Sequence, residues 1–266
     1  MIVDSTARLG LVNLPRKYRP QSLDEVVGQS SAIGLLRAFL ATAASQGEPV
    51  AFLFHGPTGT GKTSAALALA AELGCDLEQP EMSGVHEIPS GQQDGAAVRG
   101  LLDHLRLRPL FGSGWRVAIV NEADNMTVQA EAVWLDGLER LPARTVVIFT
   151  TNAPERISQR LGTRCVPVHF TGEPSALRRA VACLARRVWR QETGSRLATV
   201  PRGLGCIEGE RPTVSIRLAL QQLAALIATG GELATVQHRD DTPAASGSAA
   251  ARKAWATRRR KGVCNG

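Results

Sequence analysis

Residues 56–63 read Gly-Pro-Thr-Gly-Thr-Gly-Lys-Thr, a complete G-x-x-x-x-G-K-[ST] phosphate-binding loop. The glycines allow backbone N–H groups to turn inward around a polyphosphate. The lysine of this motif reaches the β- and γ-phosphates, and the hydroxyl residue after it holds Mg²⁺. We therefore predict that a nucleotide binds to the residues of this loop, which are Gly56, Pro57, Thr58, Gly59, Thr60, Gly61, Lys62 and Thr63.

The segments around this loop predict an α/β fold. An apolar run of strand length, residues 50–54, precedes the loop, and a strong helix-forming run, residues 64–73, follows it. Phosphates held by the loop would therefore sit at a helix N-terminus. Two further buried-type strands, at 115–120 and 144–151, alternate with helical patterns near 32–44, 96–107 and 127–141. This alternation predicts a parallel sheet covered by helices on both faces.

The order of the patterns also predicts three parts. Strand patterns largely stop after Phe170, and two helical patterns follow at 175–190 and 214–228. From about residue 233 the composition turns to Ala, Ser, Gly and Arg, which is typical of disorder. We expect an α/β nucleotide-binding domain at 1–168, a small all-α domain at 169–232, and a basic low-complexity tail at 233–266.

Composition excludes several classes of protein. With 44% hydrophobic and 21% charged residues in 266, the chain has the composition of a globular domain with a real core. It contains no apolar run of the roughly 18 residues that a membrane span needs, and no signal peptide is evident. The five cysteines are scattered without C-x-x-C pairs, which supports neither a zinc site nor a disulfide framework. We expect a cytoplasmic protein with no membrane partner.

The formal charge of +7 is concentrated near the end of the sequence. From Leu233 onward seven basic residues face only Asp240 and Asp241, which gives this segment a charge of +5. A basic segment of this kind adds weak, salt-sensitive affinity for DNA phosphates. It is equally typical of a solvated, disordered end, and both interpretations stay open.

A second nucleotide-site pattern follows the strand at 117–120, where the sequence reads Asn121-Glu122-Ala123-Asp124. A phosphate-binding loop normally pairs with an apolar strand that ends in an Asp near Mg²⁺. Glu122 stands where a base polarises the attacking water, whereas Asn121 stands where the Asp is expected. We predict a metal site formed by Thr63 and Asn121. Either the lost charge slows hydrolysis, or Asn121 suffices because Thr63 and the phosphates supply most of the coordination.

Two further polar residues follow apolar elements. Asn152 ends the strand at 144–151, where it is placed to position the attacking water or to sense the γ-phosphate; the alternative is a turn or helix-capping Asn. Arg164 lies in Thr163-Arg164-Cys165 and is a candidate arginine finger toward a neighbouring subunit's nucleotide. Its alternative is an ordinary surface arginine.

Together these motifs resemble the clamp-loader branch of the AAA+ ATPases, meaning replication factor C small subunits and bacterial polymerase III γ/τ subunits. Residues 14–20 (LPRKYRP) and 23–29 (LDEVVGQ) resemble that branch's N-terminal adenine-side motif, which makes Tyr18 and Val27 candidate nucleotide contacts. GPTGTGKT matches Walker A, and NEAD matches Walker B with its first Asp replaced. FTTN resembles sensor 1, TRC resembles the Ser-Arg-Cys motif, and SIRLAL at 215–220 resembles sensor 2 with Arg217. The resemblance covers roughly residues 13–230.

The resemblance implies an ATP hydrolase that uses Mg²⁺ and acts in DNA replication. Its implied catalytic residues are Lys62, Glu122, Asn152, Arg164 and Arg217. Its implied partners are primed DNA, a sliding clamp and other clamp-loader-like subunits in a hetero- or homo-oligomer. The alternatives are an ATP-binding, weakly hydrolysing structural subunit and another DNA-remodelling AAA+ ATPase. The absence of a four-cysteine zinc module places the chain nearer the replication factor C type. The resemblance implies that residues 1–168 form the AAA+ ATPase domain with the adenine-side motif near its start, and that residues 169–232 form the helical lid domain. We also expect no helical collar domain after the lid.

Overall fold

A computed structural model describes residues 12–229 of the chain. The N-terminal eleven residues and the predicted basic tail at 233–266 lie outside the described residues. Within the described part, the sheet and the helices that follow it belong to one compact unit. The predicted domain boundary near residue 168 stays a prediction.

The centre of the fold is a five-stranded parallel sheet in the order β2-β3-β4-β1-β5. The central strands are nearly continuous runs of buried apolar residues, as expected for a parallel sheet covered on both faces. The strands are β1 (Val50–His55), β2 (Val85–Ile88), β3 (Arg116–Val120), β4 (Thr145–Thr151) and β5 (Val166–His169).

Nine α-helices surround the sheet or follow it within the described residues. They are α1 (Leu14–Lys17), α2 (Ser30–Gln46), α3 (Lys62–Glu72), α4 (Pro80–Ser83), α5 (Gly95–Arg106), α6 (Val128–Leu138), α7 (Gln159–Gly162), α8 (Pro174–Thr193) and α9 (Ile216–Ala228). Among the helices of the described part, none is both long and apolar enough to cross a membrane.

Alternation along the strands produces two cores, one on each face of the sheet. In β1, Phe52 and Phe54 point into a cluster with α2 and α3, whereas Ala51 and Leu53 point into a second cluster with α5 and α6. Trp134 of α6 is fully buried in the second cluster. The α/β fold predicted from the sequence is therefore confirmed, with the carboxyl ends of all five strands at one edge.

The observed elements differ from the predicted ones in several places. β2 lies in the segment 75–95, which reads as mixed and loop-rich, because its Val-His-Glu-Ile sequence carries polar residues on an edge strand. A short hairpin, β6 (Cys206–Ile207) and β7 (Thr213–Val214), lies between α8 and α9, so the part predicted as all-α at 169–232 also contains two short strands. The predicted helices are otherwise observed, with ends shifted by a few residues.

The last two long helices form a separate apolar cluster after the sheet. Leu177 and Val188 of α8 pack with Leu220 and Leu223 of α9, and Leu14 of α1 joins them from the start of the described chain. The N-terminal segment therefore lies against the C-terminal helical part (residues 174–228). This packing brings the predicted adenine-side motif and the predicted sensor 2 helix to the same region.

Candidate functional site

The phosphate-binding loop connects β1 to α3 at the carboxyl edge of the sheet. Gly56, Gly59 and Gly61 have φ values of 141°, 73° and 103°, which favour glycine. A Cβ on Gly56 would lie 2.0 Å from the carbonyl oxygen of Phe170. Both backbone conformation and close packing therefore require glycine at the start of the loop.

Lys62 begins α3, and its ammonium group is held by three oxygen atoms. Its Nζ donates to the carbonyls of Gly56 (2.7 Å) and Pro57 (2.8 Å) and to Oδ1 of Asn152 (2.7 Å). Burial, with a further contribution from Arg217, lowers the pKa of Lys62 to about 8. The lysine is thus a buried cation already oriented into the loop.

Two neighbouring cavities meet at the loop. The first, of about 250 Å³, is polar and opens on the loop; the second, of about 570 Å³, extends toward α1, α8 and α9. Both are lined by Gly59, Gly61, Ser64, Arg19 and Arg217. Their continuity fits an elongated ligand with a phosphate end and an apolar end.

The larger cavity contains the predicted adenine-side residues. Tyr18 and Val27 line it and also pack against the apolar cluster of the C-terminal helical part. The Tyr18 hydroxyl donates to the carboxylate of Glu192, which also pairs with Lys17 at 2.8 Å. Burial, strengthened by Glu192, raises the pKa of Tyr18 to about 12. Tyr18 is therefore a fixed wall of this cavity with its polar end already bonded.

Asn121 and Thr63 lie together, as the metal-site prediction requires. Thr63 Oγ1 donates to Oδ1 of Asn121 at 2.9 Å, and Thr150 Oγ1 lies 3.3 Å from the same oxygen. Oxygen donors of this kind are the ligands that Mg²⁺ prefers, often through water. The donor set therefore fits Mg²⁺, although its amide oxygen carries no charge.

Glu122 has a strained backbone next to this pair. Its φ of 51° and ψ of 54° are left-handed, which costs a non-glycine residue roughly 1 kcal/mol. Its carboxylate accepts a hydrogen bond from Ser90, and its N–H lies 3.3 Å from Thr150 Oγ1. Strain of this kind clusters at functional sites. The carboxylate lines the polar cavity, where the predicted base belongs.

The remaining predicted residues fall into two groups. Asn152 and Arg217 line the polar cavity with Lys62, so the structure brings both predicted γ-phosphate contacts to the loop. Arg164 does not line either cavity. It follows α7 and donates to Glu139 Oε1 at 2.7 Å and to the Arg160 carbonyl at 3.1 Å. Its position is compatible with contact to another molecule but not to this chain's own loop.

The loop also contacts the C-terminal helical part directly. The carbonyl of Gly59 accepts from the N–H groups of Ile216 (2.8 Å) and Arg217 (3.3 Å), the first residues of α9. Thr60 is completely buried; its hydroxyl donates to the Pro57 carbonyl at 2.8 Å, and its own carbonyl accepts from Gln29. The sequence predicts only phosphate contacts for Thr58, Gly59 and Thr60. It does not predict the hydrogen bonds of Gly59 and Thr60 to the rest of the protein.

Several lining residues were missed from the sequence. Each of them lies at the end of a strand or in a loop, next to the phosphate-binding loop. They are Arg19, Glu87, Ser90 and Thr150. The signal that finds Glu87 and Ser90 is the end of β2, because parallel strands end at one edge. That strand was hidden by its polar residues.

The chain is similar to several proteins of known family. A family model described as DNA polymerase III, delta subunit, matches residues 32–174, more than half of the chain. A replication factor C small subunit from Picrophilus torridus is 32% identical over 157 residues, which cover 58% of this chain and 47% of that protein. Replication factor C subunit 3 from Saccharomyces cerevisiae is 33% identical over 183 residues, 67% of this chain and 52% of that protein.

The chain spans about half the length of the curated relatives it matches. Among solved structures, the Thermotoga maritima RuvB Holliday junction branch migration motor superposes with a TM-score of 0.52. Its sequence identity is 21%, over 66% of this chain and 55% of that one, which shows a shared fold alone. The family match over more than half of the chain, together with the similarity to replication factor C subunits, shows that the chain belongs to the replication-factor-C-like clamp-loader family of AAA+ ATPases.

Proposed function

We propose that this chain is a cytoplasmic, clamp-loader-like subunit that binds and hydrolyses ATP with Mg²⁺ to drive the loading of a sliding clamp on primed DNA. The observation that carries the proposal is a single polar cavity lined by Lys62, Thr63, Glu122, Asn152 and Arg217, continuous with a larger cavity beside Tyr18. Five of the six motifs, which lie between residues 14 and 220, thus contribute residues to these two adjoining cavities, whereas the motif that contains Arg164 does not.

Each lining residue has a distinct task in this proposal. Lys62, whose ammonium already has three oxygen partners, exchanges some of them for phosphate oxygens. Asn152, one of those partners, is released at the same time and can orient water beside the γ-phosphate. Glu122 polarises that water. Thr63 and Asn121 would hold Mg²⁺, which when bound neutralises charge on the phosphates.

Arg217 connects the nucleotide to the arrangement of the subunit. It is the second residue of α9, and its N–H is bonded to the loop carbonyl of Gly59. A guanidinium here contacts the γ-phosphate only while α9 stays docked on the loop. ATP and its product therefore favour different positions of the C-terminal helical part. Nucleotide binding and hydrolysis would in this way control the affinity of the subunit for its partners.

A second candidate is an ATP-binding structural subunit that hydrolyses slowly and serves an active neighbour. The uncharged Asn121 favours it, as does the exposed Arg164 on the surface away from its own cavity. The Arg164 guanidinium has a carboxylate partner, Glu139, that a neighbouring subunit's phosphate would replace. Arg164→Ala should then lower the turnover of mixed oligomers while leaving this chain's own nucleotide affinity unchanged.

DNA contact is proposed for the arginines near α5. Arg99, Arg106 and Arg108 are exposed, and only Arg106 pairs with an acid among them, Asp103 at 3.0 Å. Exposed arginines in and just after one helix suit phosphate backbones, with an affinity that falls as the salt concentration rises. The basic tail beyond the described residues would add to the same interaction.

The test is steady-state ATP hydrolysis by purified protein, with and without primed DNA and a sliding clamp, beside a Lys62→Ala variant. We expect nucleotide binding in the unaltered protein, turnover stimulated by primed DNA, and loss of both in the variant. Tight nucleotide binding without any turnover would favour the structural subunit. A protein that binds no nucleotide, with or without Mg²⁺, would refute both candidates.

A further inference from the structure

A carboxylate from the neighbouring strand lies beside the residue that replaces the Walker B Asp. The Nδ2 of Asn121 donates a hydrogen bond to Oε1 of Glu87, which belongs to the edge strand β2. Glu87 also lines the polar cavity of the phosphate-binding loop together with Thr63 and Asn121. The metal-site prediction from the sequence contained no residue of β2.

The register of the sheet explains why these two side chains meet. In the β2–β3 pair, Glu87 lies opposite Ile119, and Ile119 belongs to the core on the α3 face of the sheet. Val85, two residues before Glu87, belongs to the same core. Because side chains alternate along strands, Glu87 and Asn121 both lie on the face that carries α3 and Thr63. The β2 backbone continues the contact, since the Asn121 N–H donates to the Ile88 carbonyl at 3.1 Å.

This contact fixes which way the Asn121 amide points. Its Nδ2 is bonded to Glu87, so its Oδ1 is left to accept from Thr63 at 2.9 Å and from Thr150 at 3.3 Å. The amide oxygen is therefore directed toward the loop hydroxyl, where a metal ligand is needed. The negative charge that an Asp would carry at this point is instead found one hydrogen bond farther away, on Glu87.

The charge balance of the cavity makes that carboxylate important. Three cationic side chains line the cavity, Arg19, Lys62 and Arg217, whereas only two carboxylates do, Glu87 and Glu122. The Glu122 carboxylate accepts hydrogen bonds from Ser90 and from Asn125 Nδ2 (3.5 Å), and neither donor belongs to the Thr63–Asn121 pair. Among the described residues that line the cavity, Glu87 is thus the acid directly bonded to the predicted metal-site pair.

We propose that Glu87 is a positioning residue that supplies, from β2, the negative charge that Asn121 lacks, and so supports Mg²⁺ at the nucleotide. This inference rests on the proposed function, because it requires that the loop binds a nucleotide with Mg²⁺. Mg²⁺ keeps several of its waters in protein sites. A carboxylate that does not bind the ion directly therefore still accepts hydrogen bonds from these waters and offsets the charge of the ion. Outer partners of this kind typically change metal affinity by about 10-fold to 100-fold.

The experiment measures the affinity of a fluorescent ATP analogue in excess EDTA and in saturating Mg²⁺, for each variant. The ratio of the two affinities is the Mg²⁺ enhancement. The variants are Glu87→Gln, Asn121→Asp, the double variant Glu87→Gln/Asn121→Asp, and Glu81→Gln as a matched control. Glu81 is an exposed acid of α4 that lines a different cavity, so its removal changes net charge equally.

We expect Glu87→Gln to lower the Mg²⁺ enhancement by about tenfold without weakening binding in EDTA, and Glu81→Gln to leave the enhancement unchanged. Asn121→Asp alone should gain little, because it places a second carboxylate against Glu87. The double variant exchanges the positions of the amide and the carboxylate and reverses the hydrogen bond. It should restore the enhancement of the unaltered protein.

Three results would overturn the proposal. The first is an unchanged Mg²⁺ enhancement in Glu87→Gln, and the second is a double variant no better than Glu87→Gln alone. The third is unaltered protein that binds nucleotide equally well with and without Mg²⁺. In each of these cases binding in EDTA persists, so the proposed nucleotide site survives. Absence of binding under both conditions would instead remove the proposed function itself.

Discussion

The contact between the phosphate-binding loop and α9 can be tested by Gly59→Ala. Gly59 has a φ of 73°, and a Cβ there would lie 2.0 Å from Ser215 Oγ and 3.3 Å from the Cβ of Arg217. Ser215 caps α9 by accepting from the Leu218 N–H at 3.2 Å. The added methyl group therefore collides with the first turn of the helix that carries Arg217.

The expected cost follows from three separate losses. The left-handed backbone costs alanine about 1 kcal/mol. Displacing Ser215 removes a helix cap, typically about 1 kcal/mol. Moving the start of α9 away breaks the 2.8 Å bond from Ile216 N–H to the Gly59 carbonyl, about 1 kcal/mol more. We expect the free energy of unfolding to fall by about 3 kcal/mol and nucleotide affinity to fall with it.

The matched control is Gly194→Ala. Gly194 has a similar φ of 69°, but a Cβ there meets no atom within 4 Å, so only the backbone cost of about 1 kcal/mol applies. Urea unfolding of both variants, followed by tryptophan fluorescence, gives the difference. In a Ser215→Ala background the penalty of Gly59→Ala should shrink, because the nearest colliding atom is gone. Equal penalties for Gly59→Ala and Gly194→Ala would refute the collision and its effect on α9.

Three other predictions concern single side chains. Trp134 packs edge-on against Phe149, and its indole N–H has no hydrogen-bond partner among the described residues. Because Trp134→Phe removes no hydrogen bond, it should change the free energy of unfolding by less than about 1 kcal/mol. In the same urea experiment, Trp134→Ala should lower the free energy of unfolding by about 3–5 kcal/mol. Burial and the bond to Glu192 raise the pKa of Tyr18, the only tyrosine of the chain, to about 12, so tyrosinate absorbance at pH 10 should be small for folded protein and half-maximal for unfolded chain. Ionisation of the folded protein near pH 10 would contradict the burial of Tyr18 together with its bond to Glu192. Because the pKa of Lys62 is lowered to about 8, its ammonium loses its proton as the pH rises through that value, and nucleotide affinity should fall over the same range; a flat affinity profile across pH 8 would contradict this.

The sequence predicted most of the elements that carry the site because each has a strong local signal. The loop at 56–63 has fixed spacing, and the four residues before Asn121 are the apolar run Val-Ala-Ile-Val. The structure places Asn121 beside Thr63 at the loop, as the motif spacing predicts. What local patterns did not reveal are contacts made by packing, such as the Gly59 carbonyl with α9. That contact depends on a helix more than 150 residues later, whose position is set by apolar packing with α1 and α8.

The substitution at Asn121 shows a more specific limit of motif reasoning. A motif is a property of one segment, so the loss of an Asp within NEAD reads as the loss of a charge from the site. A metal site at the edge of a parallel sheet is built from several strand ends, and β2 ends next to β3. Glu87 is 34 residues away in sequence and one hydrogen bond away in space. Whether a Walker B substitution disables a site therefore depends on the charge of the neighbouring strand as much as on the motif. For this chain, the Mg²⁺ enhancement of the double variant Glu87→Gln/Asn121→Asp distinguishes a site that lacks a negative charge from a site in which Glu87 supplies it.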